Sequence, residues 1–144
     1  MEEIGQSAFA NCYGIKSLLL PSTVKYIDVS SFKKCTHLKE ITVAKENRFF
    51  DSRDNSNALI ETAENELFLG CKTTVIPNSV TSIGELAFNG CVYLTNIIIP
   101  EGVEKIGACA FFDCVSLKRI DFPSTLTSLG QGTFSGCSAL KSID

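Results

Sequence analysis

The chemistry open to this chain is bounded first by its cysteines and its one histidine. There are seven cysteines, and His37 is the single imidazole. Thiolates and imidazoles act as nucleophiles, redox couples and metal ligands. Metal sites hold them in CxxC-type pairs or at short Cys–His spacing. No such pair occurs, and the nearest two cysteines are Cys109 and Cys114. Five of the seven fall on an interval instead. Cys12 and Cys35 are 23 positions apart, as are Cys91 and Cys114, and Cys114 and Cys137. One thiol per interval, inside an apolar pattern, reads as a small buried hydrophobe held reduced, with no metal and no cofactor. Cys71 and Cys109 stand outside the column and are expected to be the more reactive thiols.

His37 stands at an offset where other units carry Gly14, Tyr93, Ser116 and Ala139. A position that variable is expected on a solvated loop. A catalytic triad would need partners at matching positions, and none is evident. No P-loop, GxGxxG after a strand, or HExxH is present. Catalysis is therefore not the expected function.

The cysteine interval is one column of a larger repeat, and that repeat must position everything else. Each column cysteine follows a phenylalanine by three positions, at Phe9, Phe32, Phe88, Phe111 and Phe134. Three beyond it sits Ile15, Leu38, Leu94, Leu117 or Leu140, then Leu18, Ile41, Ile97, Ile120 or Ile143. Two further on come Leu20, Val43, Ile99 and Phe122, and most units then show proline, at Pro21, Pro77, Pro100 and Pro123. Val24, Val80, Val103 and Leu126 follow, then Ile27, Ile83, Ile106 and Leu129, with Ile4 left from an earlier copy. Glycine usually comes next, at Gly5, Gly84, Gly107 and Gly130.

Five copies of a 23-residue unit are counted this way. One such unit cannot bury its own apolar face, so copies must stack into a continuous core with each column a ladder. The inward pair before proline alternates as a short strand, and stacked strands make a parallel sheet at about 4.8 Å spacing. Proline ends the ladder because it has no N–H. The glycine after Ile83 or Ile106 is expected at a tight corner of positive φ. The predicted fold is a mostly β solenoid of short parallel strands stacked coil on coil, in a single domain over 1–144.

The string IG-x2-AF-x2-C-x2-L-x2-I-x-IP-x2-V-x2-IG, plainest in Ser82–Cys114, resembles the BspA-like leucine-rich repeat family over nearly the whole chain. Departures are Asp28 for glycine, Ser31 for alanine and Ala44 for proline in the second unit, and Thr133 in the last. The resemblance implies a leucine-rich repeat solenoid. It also implies a bacterial or protist cell-surface or secreted protein, active in adhesion to host extracellular proteins and in coaggregation.

The regular spacing breaks once. Between Val43 and Ile76 lie 33 positions, 44–76, read as an insertion. Asp51–Asn57 is polar and reads as a loop. Ala58–Thr62 and Glu66–Leu69 flank Ala63-Glu64-Asn65 and read as a β-hairpin with a three-residue turn. Phe49, Phe50 and Phe68 are expected to close a small core. The segment either supplies a binding loop or packs on its neighbours as an elongated coil.

The remaining candidates are on the surface. The outward strand centres carry Leu19, Thr42, Ile98 and Asp121, flanked by Lys39, Lys118 and Arg119. Stacked strands would align them as a lysine-flanked stripe fit for a protein partner or an anionic glycan. The net charge of −3 gives no field favouring nucleic acid. No apolar run approaches the roughly 18 residues needed to cross a bilayer. Neither end carries a polar capping coil, so a fragment of a longer protein is expected, able to self-associate end to end. A spacer without its own ligand is the alternative reading.

Overall fold

The computed structural model describes residues 1–143. It is a β-solenoid of about six turns with one short 3-10 turn, Arg53–Asn55, as its only helical element among the described residues. The strands are β1 (Glu3–Ile4), β2 (Ser17–Leu20), β3 (Tyr26–Ile27), β4 (Glu40–Val43), β5 (Phe50–Asp51), β6 (Leu59–Glu61) and β7 (Glu66–Leu69). They continue with β8 (Ser82–Ile83), β9 (Asn96–Ile98), β10 (Lys105–Ile106), β11 (Arg119–Asp121), β12 (Ser128–Leu129) and β13 (Ser142–Ile143).

Each regular coil gives one strand to each of two walls. The wall before the prolines holds β2 beside β4, and β9 beside β11 and β13, all parallel. The wall around the second isoleucine column holds β1 beside β3, and a six-stranded sheet in the order β12-β10-β8-β7-β6-β5. Register follows the repeat: Ile120 sits opposite Ile97, and Ile106 opposite Ile83. The strands are two to four residues long because only two positions per wall face inward before a corner intervenes.

The phenylalanine column stacks like coins. Phe88 and Phe111 have ring centroids 5.0 Å apart and nearly parallel planes, and Phe134 continues the stack at 5.7 Å. Phe9 and Phe32 repeat this at 5.4 Å. The seven apolar columns thus form the core, except that Leu129 and Ile143 of the last coil are exposed. Phe9, Cys12, Phe134 and Cys137 are only partly buried, since each belongs to an outermost coil and is packed from one side.

The corners differ from expectation. Gly84 and Gly107 do not have positive φ. What excludes a side chain there is proximity: a Cβ on Gly107 would lie 2.5 Å from the Glu85 nitrogen of the neighbouring coil, and one on Gly130 would meet the Ala108 nitrogen more closely still. The left-handed positions lie elsewhere. The residue before each column cysteine is left-handed in every coil: Asn11, Lys34, Gly90, Asp113 and Gly136. Two residues before the phenylalanine, Ser7, Leu86, Cys109 and Gly132 are left-handed as well. The second unit escapes this at Ser30, where the Asp28 carboxylate accepts from the Ser30 N–H at 2.9 Å and its hydroxyl at 2.6 Å. Ser31 and Thr133, standing for alanine, bury their hydroxyls by donating to the Gly5 and Gly130 carbonyls.

The insertion is a wall rather than a decoration. β6 and β7 form an antiparallel hairpin joined by Thr62–Asn65, four residues instead of three, and β5 adds antiparallel to β6. Leu59 and Leu69 pack into the core of the first coils, whereas Ile60 and Leu67 pack into that of the later ones. Within the predicted loop, Asp51 is a strand residue that binds Arg53 at 2.6 Å. Phe50 is buried and meets Phe68 edge-on at 5.9 Å. Phe49, just before β5, is 44% exposed instead.

Candidate functional site

The thiols come first because their arrangement decides whether they can react. All seven cysteines are free. Cys35, Cys114 and Cys137 each aim Sγ at the phenylalanine carbonyl of the preceding coil: Phe9 at 3.1 Å, Phe88 at 3.2 Å and Phe111 at 3.0 Å. A protonated thiol donates weakly to each carbonyl, so the column favours a small side chain with one donor. Burial pushes the Cys35 thiol up to about 11 and raises that of Cys91 further. The Cys137 side chain, then burial, holds Cys114 well above the ordinary thiol range. These are structural groups, not poised nucleophiles. Of the two cysteines outside the column, Cys109 is partly exposed, but Cys71 is 1% exposed, contrary to expectation. Its Sγ is enclosed by Thr73, Thr74 and the Asn57 carbonyl.

His37 is exposed as expected but not isolated. Its ring lies 5.4 Å from that of Tyr93, with Nε2 3.4 Å from the tyrosine hydroxyl. The Lys72 ammonium lies over the Tyr93 ring, 5.6 Å from its centroid. No group of three or more His, Cys, Asp or Glu side chains able to hold a metal occurs among the described residues.

A shallow trough of about 440 Å³ is lined in part by Gly84, Gly107 and Gly130. Glu64, Glu66, Glu85, Glu104 and Lys105 also line it. Burial, opposed by the Ser82 hydroxyl and aided by Glu61 and Glu64, raises the Glu66 carboxyl.

The outward strand centres are placed as the repeat predicts, but in two groups. Leu19 lies opposite Thr42 on β2 and β4, beside Lys39, and Ile98 lies opposite Asp121 on β9 and β11, beside Lys118 and Arg119. All seven of these residues are exposed. The predicted continuous stripe is interrupted, because the insertion separates β4 from β9. Ser52, Asn57 and Thr73 take over the freed edge of β4. The Ile41 N–H donates to Asn57 Oδ1 at 3.4 Å and the Val43 N–H to Ser52 Oγ at 3.2 Å, while Thr73 Oγ1 donates to the Lys39 carbonyl at 2.5 Å.

Charge on this face is partly internal. Arg119 Nε donates to Asp121 Oδ1 at 2.8 Å, so that guanidinium is not a bare cation. Apolar exposure is larger: Leu19 is 68% and Ile98 80% exposed. Val75, 72% exposed, was missed from sequence. It stands two residues before Pro77, as Ile98 stands two before Pro100, so counting back from the proline would have placed it in the same column. Tyr26 belongs to β3 in a different sheet and does not extend the patch.

Comparison with known proteins agrees with the repeat. The family model for the BspA type leucine rich repeat region matches residues 1–64 and 61–144 with six copies, one more than the phenylalanine–cysteine column counts. No curated protein matches. Solved structures do. A leucine-rich repeat protein from Eubacterium ventriosum is 26% identical with a TM-score of 0.87, over 100% of this chain and 39% of the other. One from Bacteroides ovatus is 29% identical with a TM-score of 0.62, over 99% of this chain and 34% of that one. The pneumococcal vaccine antigen PcpA, 24% identical with a TM-score of 0.74 over 99% of this chain and 42% of its own, shares the fold. The chain thus spans well under half the length of each of these three proteins.

Proposed function

Because the chain belongs to the BspA-type leucine-rich repeat family, we propose that it is the partner-binding module of a cell-surface or secreted protein. It would hold a polypeptide, such as an extracellular host protein, on the outer face of β2, β4, β9 and β11. The contact residues in this reading are Leu19, Thr42, Ile98 and Asp121, with Lys39, Lys118 and Arg119 at the rim.

The observation that carries the reading is the exposure of Leu19, Val75 and Ile98 on one wall. Apolar side chains exposed at the strand centres of one wall are the composition of an interface core, and paired charges at the edge that of a rim. The solenoid presents them already ordered, which lowers the entropic cost of association.

The test is binding of the purified chain to immobilised matrix proteins and to anionic glycans, at low and high salt. A protein partner is expected to bind saturably and to be lost on combined Leu19→Ala, Ile98→Ala and Arg119→Ala substitution, with the circular dichroism unchanged. Binding to glycan alone that fades with salt would replace the protein reading by an anionic-glycan one. No binding across the panel would favour a spacer.

A further inference from the structure

Backbone hydrogen bonds stitch each coil to the next, and at one place the stitching stops. The turns of the phenylalanine column show where. The Phe9 and Asn11 N–H groups donate to the Ser31 and Lys33 carbonyls, and those of Phe88 and Gly90 to Ala110 and Phe112. Phe111 and Asp113 donate likewise to Thr133 and Ser135. The Phe32 and Lys34 N–H groups make no such bond to the next turn.

The cause is a shortened coil. Leu67 stands in the register of Ile83, yet Pro77 follows it by ten positions where Pro100 follows Ile83 by seventeen. The missing length is that of a phenylalanine–cysteine turn, so the turn of Lys34 meets the turn of Gly90 directly. A Cβ on Gly90 would lie 2.9 Å from the Lys34 Cα.

The break runs round the whole chain. Among the described residues no backbone–backbone hydrogen bond joins 1–46 to 48–143, and β1 to β4 pair only among themselves, as do β5 to β13. Side chains bridge it instead. Ser52, Asn57 and Thr73 bind the β4 backbone, and Asn47 Nδ2 donates to the Pro21 and Val24 carbonyls. On the turn side His37 meets Tyr93, and Lys34 reaches Asp113 at 3.2 Å with its ammonium over the Phe112 ring. Beneath these bridges Phe50, Leu59, Leu69 and Cys71 pack into the first core. Apolar contact has no direction, so it permits sliding that a backbone ladder forbids.

We propose that this junction is a joint. Residues 1–46 shift as one body on 48–143, and the Lys34–Asp113 ion pair is the latch that limits the shift. Leu19 and Thr42 lie on one side of the joint, Ile98 and Asp121 on the other, so its position sets the separation of the two exposed patches.

The test is residual dipolar coupling of the backbone amides of the full chain in a dilute alignment medium. A rigid solenoid fits one alignment tensor throughout. The couplings of 1–46 and 48–143 are expected to need separate tensors, with the order of 1–46 lower by about a tenth or more. Lys34→Met keeps the aliphatic stem, removes the charge and should lower that order further at an unchanged melting temperature. Lys25→Met should not, because its ion pair with Glu2 at 2.9 Å lies within the first body. Asp113→Asn removes the other charge and gives the same comparison where Lys34→Met does not fold. One tensor of equal order over 1–143 in the wild-type chain would overturn the joint. Unchanged order on removing either charge, or an equal loss in Lys25→Met, would overturn the latch.

Discussion

The thiol of Cys137 lies 3.0 Å from the carbonyl oxygen of Phe111, one coil back, and donates to it. The same contact joins Cys114 to Phe88 and Cys35 to Phe9, which makes the cysteine column a ladder of inter-coil donors. Replacing Cys114 by alanine removes a buried sulfur and one weak hydrogen bond. The expected loss is about 1–3 kcal/mol in urea unfolding, and Cys12→Ala, in the first coil, should cost less. Equal losses at both positions would contradict the ladder.

Alkaline pH should weaken the fold. The buried Cys35, Cys91 and Cys114 thiols ionise above the ordinary value of 9.0, with Cys35 near 11. The folded chain therefore holds protons that the unfolded chain has already lost. Stability is full below pH 9 and falls as pH rises from 9 through 11. Melting temperatures across that window should drop for the wild-type chain and drop less for Cys35→Ala. Identical slopes would remove Cys35 as a cause.

Phe111 is stacked between Phe88 and Phe134 and fully buried. Phe111→Ala should cost about 3–5 kcal/mol, because the gap lies in mid-array where neither neighbour can collapse into it. Phe134→Ala, with a partner on one side and partial exposure, should cost distinctly less. Chemical denaturation of the two variants gives the comparison directly.

Two backbone substitutions should have opposite signs. Gly107→Ala places a methyl group against the Glu85 nitrogen and should destabilise by about 1–3 kcal/mol. Cys109, left-handed at φ 54°, should gain about 1 kcal/mol when replaced by glycine. Thermal melts of both proteins test whether proximity or dihedral strain governs each corner.

The repeat was legible because it is set by burial. A residue every 23 positions that must face one core leaves apolar columns any reader can align, and those columns form here. The corners were less legible. Glycine signals both positive φ and close approach, and the sequence does not say which. At Gly107 the reason is a neighbouring backbone, which no local pattern records. The left-handed residues before the cysteines include Lys34 and Asp113, so composition alone marks that column only faintly. The candidate surface was found by position within the repeat, but its division was not. That depended on Asn57 and Ser52 reaching the β4 edge, contacts between residues about ten to sixteen positions apart in an irregular segment. Val75 was overlooked because the insertion was read as running through Ile76, so the positions just before Pro77 were not aligned with the strand column.

The hairpin of β6 and β7 has one row of side chains in each of two separate cores, so it acts as a bulkhead. In a uniform array, damage to one coil weakens its neighbours and the weakness can run the length of the chain. Here the two compartments share a single partition, and each can loosen while the other stays dry. Melting should therefore proceed compartment by compartment, with the amides of Leu59–Glu61 exchanging last, since they are covered from both sides.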